Sequence, residues 1–299
     1  MSRIHDALKR AEQERASSLG THVEPSFEQP AVDTVAMPTL HSPAAVGAQP
    51  AHEFNYETLL SRCPPMAWNP DPLTMLFFQG DETRMGAEEF RTLRSRLYQI
   101  REKMPLKRLL VTSAMPKEGK SFVAANLAQV MVRQQGRRAL VIDADLRNPG
   151  LHRHLGTTGS PGLSEYLMGE CDEIAALQRG PMENLFFLPA GRVAPSASEL
   201  LANGRLKVLL QRLEPFFDWI ILDSAPVIPV SDSTIVAGSC DGVLMVVRSN
   251  VTPSPLAKKA REEFPDKLLL GVVLNGTPTE NMSQSKYYYG EAVPSPVRG

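Results

Sequence analysis

The chain has 299 residues, a net charge of −1 and a charged fraction of 22%. This length allows one large α/β domain with additional segments, and the near-neutral charge provides no basic field for nucleic acid. The three cysteines are far apart and have no CxxC spacing, which argues against a disulfide framework or a zinc site. No apolar run approaches the roughly 20 residues of a membrane helix, so we expect a soluble, cytoplasmic protein.

The two ends of the sequence differ in composition from its middle. Ile4, Leu8 and Ala11 recur at helical spacing on a charged background and predict a short amphipathic helix. The segment that follows is rich in Pro, Ala, Ser and His, which is typical of a disordered linker. We therefore predict an N-terminal helix, a disordered linker, a central domain and a flexible tail, at residues 1–18, 19–72, 73–280 and 281–299.

The central segment alternates between apolar runs and amphipathic stretches. The runs predict strands at Arg108–Ser113, Ala139–Asp143, Leu185–Pro189, Trp219–Asp223, Gly242–Arg248 and Leu268–Asn275. Helical patterns occur at residues 86–104, 120–135, 204–214, 231–239 and 254–264. Continuous apolar strands that alternate with helices predict an α/β fold, with a mostly parallel sheet covered by helices on both faces.

A glycine-containing loop separates the first strand from an alanine-rich helix. It carries Gly119, Lys120 and Ser121, and strand, loop and helix in this order form a phosphate cradle in which loop amides and a helix N-terminus meet. We expect a nucleotide to bind the stretch from Lys117 to Phe122, that is Lys117, Glu118, Gly119, Lys120, Ser121 and Phe122. The P-loop pattern has glycine at position 114, where this chain has Ala114.

Two later strands end in carboxylates. Asp143 and Asp145 follow the second strand two residues apart, and Asp223 ends the fourth. A Mg²⁺ ion on nucleotide phosphates needs oxygen ligands, which Ser121, Asp145 and Asp223 would provide, and Asp143 would then be free to orient or deprotonate a hydroxyl. Alternatively, each acid is only a cap for the helix that follows it.

Together these segments resemble the bacterial tyrosine kinases (BY-kinases), and in particular the cytoplasmic autokinases of exopolysaccharide and exosortase-linked systems. The resemblance is carried by SAMPKEGKS, by VIDADLRNP, by ILDSAPV and by the spacing Glu88-x-x-Arg91-x-x-Arg94. It implies a P-loop NTPase fold of the deviant Walker type, similar to that of partition ATPases. It also implies ATP and Mg²⁺ as cofactors, with Lys120, Asp143, Asp145 and Asp223 as catalytic residues.

The resemblance further implies that the chain phosphorylates its own tail. Three adjacent tyrosines, Tyr287, Tyr288 and Tyr289, would be the phosphoacceptors, and a flexible tail could carry them to a neighbouring subunit. The stripe of Glu88, Arg91 and Arg94 resembles the family's oligomerisation motif and implies a ring-type homo-oligomer, the family's octamer. Implied partners are a membrane polysaccharide co-polymerase (chain-length determinant protein), which would recruit the chain to the plasma membrane, and a tyrosine phosphatase.

Two other functions stay open at this point. Partition or septum-site ATPases resemble this chain in fold, but they carry a second lysine five residues before the invariant one, where this chain has Met115. The second alternative is a nucleotide-sensing scaffold for a polysaccharide co-polymerase, in which catalysis is incidental. The tyrosine tail favours the kinase.

Overall fold

A computed structural model describes residues 55–78, 85–266 and 268–278. In these residues seven strands form one sheet, β1 to β7, at Arg108–Ser113, Ala139–Asp143, Gln178–Arg179, Leu185–Leu188, Trp219–Asp223, Gly242–Arg248 and Leu269–Asn275. Their order across the sheet is β3-β4-β2-β5-β1-β6-β7. All neighbouring strands are parallel except β3 and β4, so the predicted fold class is confirmed.

Helices connect the strands, as parallel pairing requires. In chain order they are α1 Tyr56–Arg62, α2 Ala87–Arg101, α3 Lys120–Val132, α4 Leu151–Leu155, α5 Leu163–Met168, α6 Glu173–Ala176, α7 Ala197–Ala202, α8 Arg205–Leu213, α9 Asp232–Ala237 and α10 Ser254–Glu262. None of the helices in the described residues combines the length and the apolar character of a membrane span.

Both faces of the sheet are covered by apolar side chains. Alternate residues of the central strands point to opposite faces, so Leu109 and Val111 belong to one core and Leu110 to the other. Helices α2, α3 and α4 pack on the first face, and α5, α8, α9 and α10 contribute to the second. Helix α3 is buried along most of its length, which its many alanines allow because small side chains let a helix approach a sheet closely.

The long apolar runs were predicted to within one residue at each end, whereas several short elements were missed. Strand β3 and helices α4, α5, α6 and α7 have two to six residues each, too few for a hydrophobic period to be recognised. They begin or end at turns, and two of them end at glycines with positive φ, Gly156 and Gly169. Tertiary packing therefore decides their structure more than local pattern does.

The predicted linker is wrong for its last part, residues 55–72. Helix α1 lies there, with Leu59 fully buried, and Trp68 is buried against the ring of Phe187. The following residues are held by α3, because the Asn126 side chain accepts a hydrogen bond from the Leu76 amide at 2.8 Å. Apolar contacts outweigh the polar composition here. The remainder of the linker, the N-terminal helix at residues 1–18 and the tail from residue 281 lie outside the described residues.

Candidate active site

The carboxyl ends of β1, β2 and β5 lie side by side at one edge of the sheet. Asp143, which ends β2, is the register partner of Asp223, which ends β5, and Asp223 is paired in turn with Val111 of β1. Beyond the strands, the Ala144 amide donates to the Asp223 carbonyl at 2.7 Å. The three sequence motifs therefore converge, as expected for the carboxyl ends of parallel strands.

The loop from β1 to α3 has the backbone shape of a phosphate cradle. Gly119 has φ of +94° directly before the helix, and Lys117 also has a positive φ of +67°. Ala114 is fully buried and is absent from the positive-φ residues of the described chain, so its Cβ causes no backbone strain. Because the first amides of a helix have no partner inside it, the start of α3 offers donors to an anion.

Glu118 is a buried acid that anchors this loop. Its carboxylate accepts hydrogen bonds from the Met115 amide at 2.7 Å and from the Thr252 hydroxyl, and its carbonyl accepts from the Asn275 side chain at 2.8 Å. A Cβ at Gly119 would lie 2.1 Å from the Asn275 amide nitrogen, so packing as well as φ requires glycine there. Sequence reasoning missed Thr252 and Asn275, whose signal was a polar residue after β6 and at the end of β7.

A cleft of ≈ 480 Å³ opens beside the loop. Its walls include Met115, Pro116 and Leu256, together with the longer side chain of Arg248. Arg248 is held by a hydrogen bond to the Lys117 carbonyl at 3.2 Å. Mixed apolar and polar walls and this volume are typical of sites for small organic molecules.

The Lys120 ammonium lies among three buried carboxylates. Its Nζ is 3.1 Å from Oδ2 of Asp145, and only 15% of its side chain is exposed. Burial alone would lower the pKa of Lys120, but Asp223, Asp145 and Asp143 together outweigh burial and raise it. The ammonium is therefore charged at neutral pH and is the one basic side chain paired with these acids in the described residues.

Asp143 is fully buried and is held by the backbone that follows β2. It accepts hydrogen bonds from the Asp145 amide at 3.1 Å, from the Gly150 amide at 3.1 Å and from the Leu151 amide at 3.0 Å. Burial, followed by repulsion from Asp223, raises the pKa of Asp143 well above its ordinary value despite these bonds. A carboxyl with a raised pKa is a stronger base near neutral pH than an exposed one.

Asp223 has an unused oxygen. Its Oδ1 is buried and finds no hydrogen-bond donor among the described residues, whereas the Ser121 hydroxyl donates to the same carboxylate. Burial raises the pKa of Asp223, which Lys120 and Ser121 oppose. A buried anionic oxygen without a partner is unfavourable by itself and fits the water shell of a Mg²⁺ ion.

The donor set around these atoms suits Mg²⁺ bound together with phosphates. In the part of the chain that the structure describes, no group of three or more His, Cys, Asp or Glu side chains could hold a metal alone. Mg²⁺ commonly uses one or two protein oxygens and takes the rest from phosphates and water. Ser121 and Asp223 fit that pattern. Both oxygens of Asp145 already have partners, Lys120 and the Asn148 amide, and its predicted support of the metal stays a prediction.

The remaining predicted site residues are Phe122 and the three tail tyrosines. The Phe122 ring packs against Phe90 of α2 at a centroid distance of 5.8 Å, and its predicted contact with a nucleotide stays a prediction. The three tail tyrosines, at residues 287–289, lie outside the described residues. Their role as acceptors stays a prediction.

The predicted oligomerisation stripe divides into two parts on α2. Arg91 forms an ion pair with Glu88 at 2.9 Å on the exposed side of the helix. Arg94 instead donates to the carbonyl of Val130 near the end of α3, at 2.9 Å. This helix therefore contacts the helix that begins at the phosphate loop, and its role in assembly stays a prediction.

Known proteins show the same combination of sequence and fold. The tyrosine-protein kinase YwqD of Bacillus subtilis is 34% identical over 206 residues, which cover 68% of this chain and 86% of YwqD. This chain belongs to the bacterial tyrosine kinase family. Within the family, the solved kinase domain of the Escherichia coli tyrosine kinase ETK matches with a TM-score of 0.60 and 31% identity, over 66% of this chain and 78% of that domain.

A longer relative gives the biological setting of one such kinase-like segment. The succinoglycan biosynthesis transport protein ExoP of Rhizobium meliloti is 33% identical over 209 residues, which cover 68% of this chain but only 26% of ExoP. No protein-family model matches the sequence. Membership of the kinase family favours the tyrosine kinase over the partition-type ATPase that the sequence had left open.

Proposed function

We propose that this chain is an ATP-dependent protein-tyrosine autokinase that transfers the γ-phosphoryl group of ATP to its own tail tyrosines, Tyr287–Tyr289. One observation carries the proposal. The Lys120 ammonium stands 3.1 Å from Asp145 and interacts with Asp143 and Asp223, at the point where three strand ends meet the N-terminus of α3. Phosphoryl transfer depends on positioning and charge stabilisation, which such an arrangement supplies.

The nucleotide would lie along the loop. Amides from Lys117 to Ser121 would hold the phosphates, Lys120 would neutralise the charge on the β- and γ-phosphates, and the cleft beside Met115 would take the nucleoside. The hydrogen bonds of Glu118 and Asn275 support this role, because they fix the loop before any ligand arrives. A preformed cradle reduces the entropy lost on binding.

Ser121 and Asp223 would hold the Mg²⁺ that accompanies ATP, Ser121 through its hydroxyl and Asp223 through water. When bound, Mg²⁺ supplies positive charge to the phosphate oxygens. The unpartnered Oδ1 of Asp223 supports this assignment because it is a buried acceptor without a donor in the described residues.

Asp143 would accept the proton of the attacking phenol. A carboxylate has about four lone-pair positions, and three are used by backbone amides, which leaves one for the phenol hydrogen. As the proton moves to Asp143, the tyrosine oxygen forms a bond to the γ-phosphorus. The bond from that phosphorus to the β–γ bridging oxygen breaks, and ADP leaves.

The setting that fits the relatives is exopolysaccharide chain-length control and export. ExoP carries biosynthesis and transport of a polysaccharide in its name, and the kinase-like segment is a quarter of that protein. We extend the proposal to a ring-type homo-oligomer through Glu88, Arg91 and Arg94. A membrane polysaccharide co-polymerase would recruit the ring to the inner face of the plasma membrane, and a tyrosine phosphatase would reset it.

Phosphosite mapping tests the central proposal. The purified chain is incubated with Mg-ATP, and phosphate is located by mass spectrometry and measured in solution. Labelling of Tyr287–Tyr289 that disappears in Lys120→Met supports the kinase. Free phosphate without protein labelling would instead indicate a partition-type ATPase, and ATP binding with neither signal would indicate a scaffold.

Light scattering tests the assembly. The chain with Glu88, Arg91 and Arg94 all changed to Ala is expected to have a lower mass than the unchanged chain, at equal concentration and in the dephosphorylated state. Arg96→Ala on the exposed side of the same helix is the matched control. Equal masses for the triple variant and the control would reject the stripe as the assembly surface.

A further inference from the structure

Arg147 lies two residues beyond Asp145 in the loop after β2, and its guanidinium is held by Asp232, a buried acid of α9. Its Nε donates to Oδ2 of Asp232 at 2.7 Å and its Nη2 to Oδ1 at 3.2 Å. Ser198 closes the group, since its hydroxyl donates to Asp232 at 2.6 Å and accepts from Arg147 at 2.9 Å. The Asp232 side chain is fully buried, while 36% of that of Arg147 is exposed.

Asp232 is held in place because its neighbour in α9, Ser233, is hydrogen-bonded at the carboxyl ends of β1 and β5. The Ser233 hydroxyl accepts a hydrogen bond from Thr112 of β1 at 3.1 Å and lies 3.1 Å from the hydroxyl of Ser224. It also donates to the carbonyl of Ala225, two residues after Asp223. The start of α9 is therefore fixed to the ends of β1 and β5, and through Asp232 it reaches the loop after β2.

The loop after β2 carries Asp145 and Arg147 and follows directly on Asp143. The amides of Asp145, Asn148 and Gly150 donate to the side chains of Asp143 and Asp145, and these bonds shape the loop from within. Two backbone bonds link the loop to its surroundings, one from the Ala144 amide to the carbonyl of Asp223 at 2.7 Å and one from the Ala194 amide to the carbonyl of Leu146 at 3.0 Å. The forked bond from Arg147 to Asp232 adds a side-chain attachment to α9, and it helps to set where the loop lies relative to β1 and β5.

We propose that Asp232 is a positioning residue for phosphoryl transfer: through Arg147 it holds the Asp143–Arg147 loop so that both acids face Lys120. This inference rests on the proposed kinase function and adds a residue that acts at a distance. The start of α9 would then fix the carboxyl ends of β1, β2 and β5 relative to one another. Arginine suits this task because its planar fork fixes both distance and orientation.

The expected defect is in turnover and leaves ATP binding largely intact. The phosphate loop is anchored separately by Glu118, Thr252 and Asn275, so loss of the Asp232 bond leaves it in place. Misplacement of a reacting group by about 1 Å lowers rates by about 100-fold. We expect Asp232→Asn to lower kcat for tyrosine phosphorylation by about 10- to 100-fold, with less than about a threefold change in KM for ATP.

The chain contains a matched control. Arg108 and Asp241 form another arginine–aspartate pair with two hydrogen bonds at the amino ends of β1 and β6, with Nη2 to Oδ1 at 2.6 Å and Nε to the same Oδ1 at 3.2 Å. Its contacts are on the opposite edge of the sheet from the active site. Asp241→Asn removes a comparable pair, so it is expected to lower the unfolding temperature while kcat changes by less than about twofold at a temperature where the chain is folded.

The test measures kcat, KM for ATP and unfolding temperature for the full chain, Asp232→Asn, Arg147→Gln, their double variant and Asp241→Asn. We expect both single variants to lower kcat and the double variant to add little, because they break the same bond. Should Asp232→Asn fail to fold, Arg147→Lys keeps the charge, loses the fork and is expected to show the same loss of kcat. Normal kcat in Arg147→Gln, or a loss in Asp241→Asn equal to that in Asp232→Asn, would overturn the inference. Absence of tyrosine labelling in the unchanged chain would instead reject the kinase function itself.

Discussion

Buried carboxyl groups at the two edges of the sheet, where the strands begin and where they end, have pKa values shifted in opposite directions. At the amino-end edge, Asp218 and Asp241 precede β5 and β6. Burial alone would raise the pKa of each, but hydrogen bonds from neighbouring arginines and backbone amides lower it. At the carboxyl-end edge, burial and mutual repulsion raise the pKa of Asp143 and burial raises that of Asp223.

The opposite pKa shifts distinguish carboxylates whose charge is balanced within the fold from carboxylates that we propose bind a ligand. At the amino-end edge each acid has its own arginine, at 2.6 Å for Asp241 and 2.8 Å for Asp218. At the carboxyl-end edge three acids share Lys120. An excess of buried negative charge is unfavourable for folding, and raised pKa values of this kind cluster at functional sites. This edge is therefore suited to a cation with phosphates.

The largest expected effect is at Lys120. Lys120→Met should lower tyrosine phosphorylation at least about 100-fold, because it removes the charge that faces the phosphates. It should also lower the unfolding temperature, since three buried acids then lack their cation. Kinetics and calorimetry check both effects. The exposed Lys207→Met of α8 is the control, and a Lys120→Met enzyme with normal turnover would contradict the account.

Removal of one acid should act in the opposite direction on stability. Asp223→Asn is expected to lower phosphorylation about 100-fold. At pH 8 it should also raise the unfolding temperature of the nucleotide-free chain by about 2–4 °C, because a buried charge is removed. Thermal scans without ligand check this. Asp218→Asn at the amino-end edge should lower the unfolding temperature, so a fall in both variants would show that the two edges do not differ.

The contribution of the Arg108–Asp241 pair to the free energy of unfolding should depend on pH. The pKa of Asp241 is lower in the folded chain than its ordinary value, so the unfolded chain binds its proton more tightly. The stabilisation is fully present above about pH 4 and is lost as pH falls through the lower, folded pKa. Asp241→Asn should therefore reduce the free energy of unfolding by about 2 kcal/mol at pH 7, and by less in acid. Urea titrations at several pH values measure this, and a constant difference down to the acid limit would reject the assignment.

The smallest expected effect concerns Ala114 in the loop between β1 and α3. Because Ala114 lacks a positive φ, Ala114→Gly should leave nucleotide affinity within about twofold and reduce stability by about 0.5–1 kcal/mol through added flexibility of the unfolded chain. Gly119→Ala is the comparison, since a Cβ there would meet Asn275 at 2.1 Å, and it should weaken nucleotide binding strongly. Titration calorimetry compares the two, and tighter binding by Ala114→Gly would contradict the role assigned to the backbone.

The fold and the residues of the central cluster could be predicted from the sequence because both depend on strong local patterns. Two apolar runs end in an acid of the candidate active site, Asp143 and Asp223, and parallel strands bring such ends together. Contacts made across the fold could not be predicted in the same way. Thr252 and Asp232 act on residues more than eighty positions away, and only packing brings them together.

The polar composition before residue 73 led to the wrong prediction of a linker over residues 55–72. Composition gives the average polarity of a segment, whereas a few apolar residues decide whether that segment packs. Leu59 and Trp68 are two such residues, and the amide side chain of Asn126 provides a partner for the backbone that follows. Side-chain amides that bind a neighbouring backbone leave no periodic pattern in the sequence.

The excess negative charge at the carboxyl-end edge is expected to hold a cation together with the phosphates of ATP. Titration calorimetry of ATP at pH 8, with Mg²⁺ and with a chelator, tests it most directly in the unchanged chain and in Asp223→Asn. We predict that the unchanged chain binds ATP much more tightly with Mg²⁺, and that this dependence is largely lost in Asp223→Asn. Equal affinity of the unchanged chain for ATP with and without Mg²⁺ would contradict the claim.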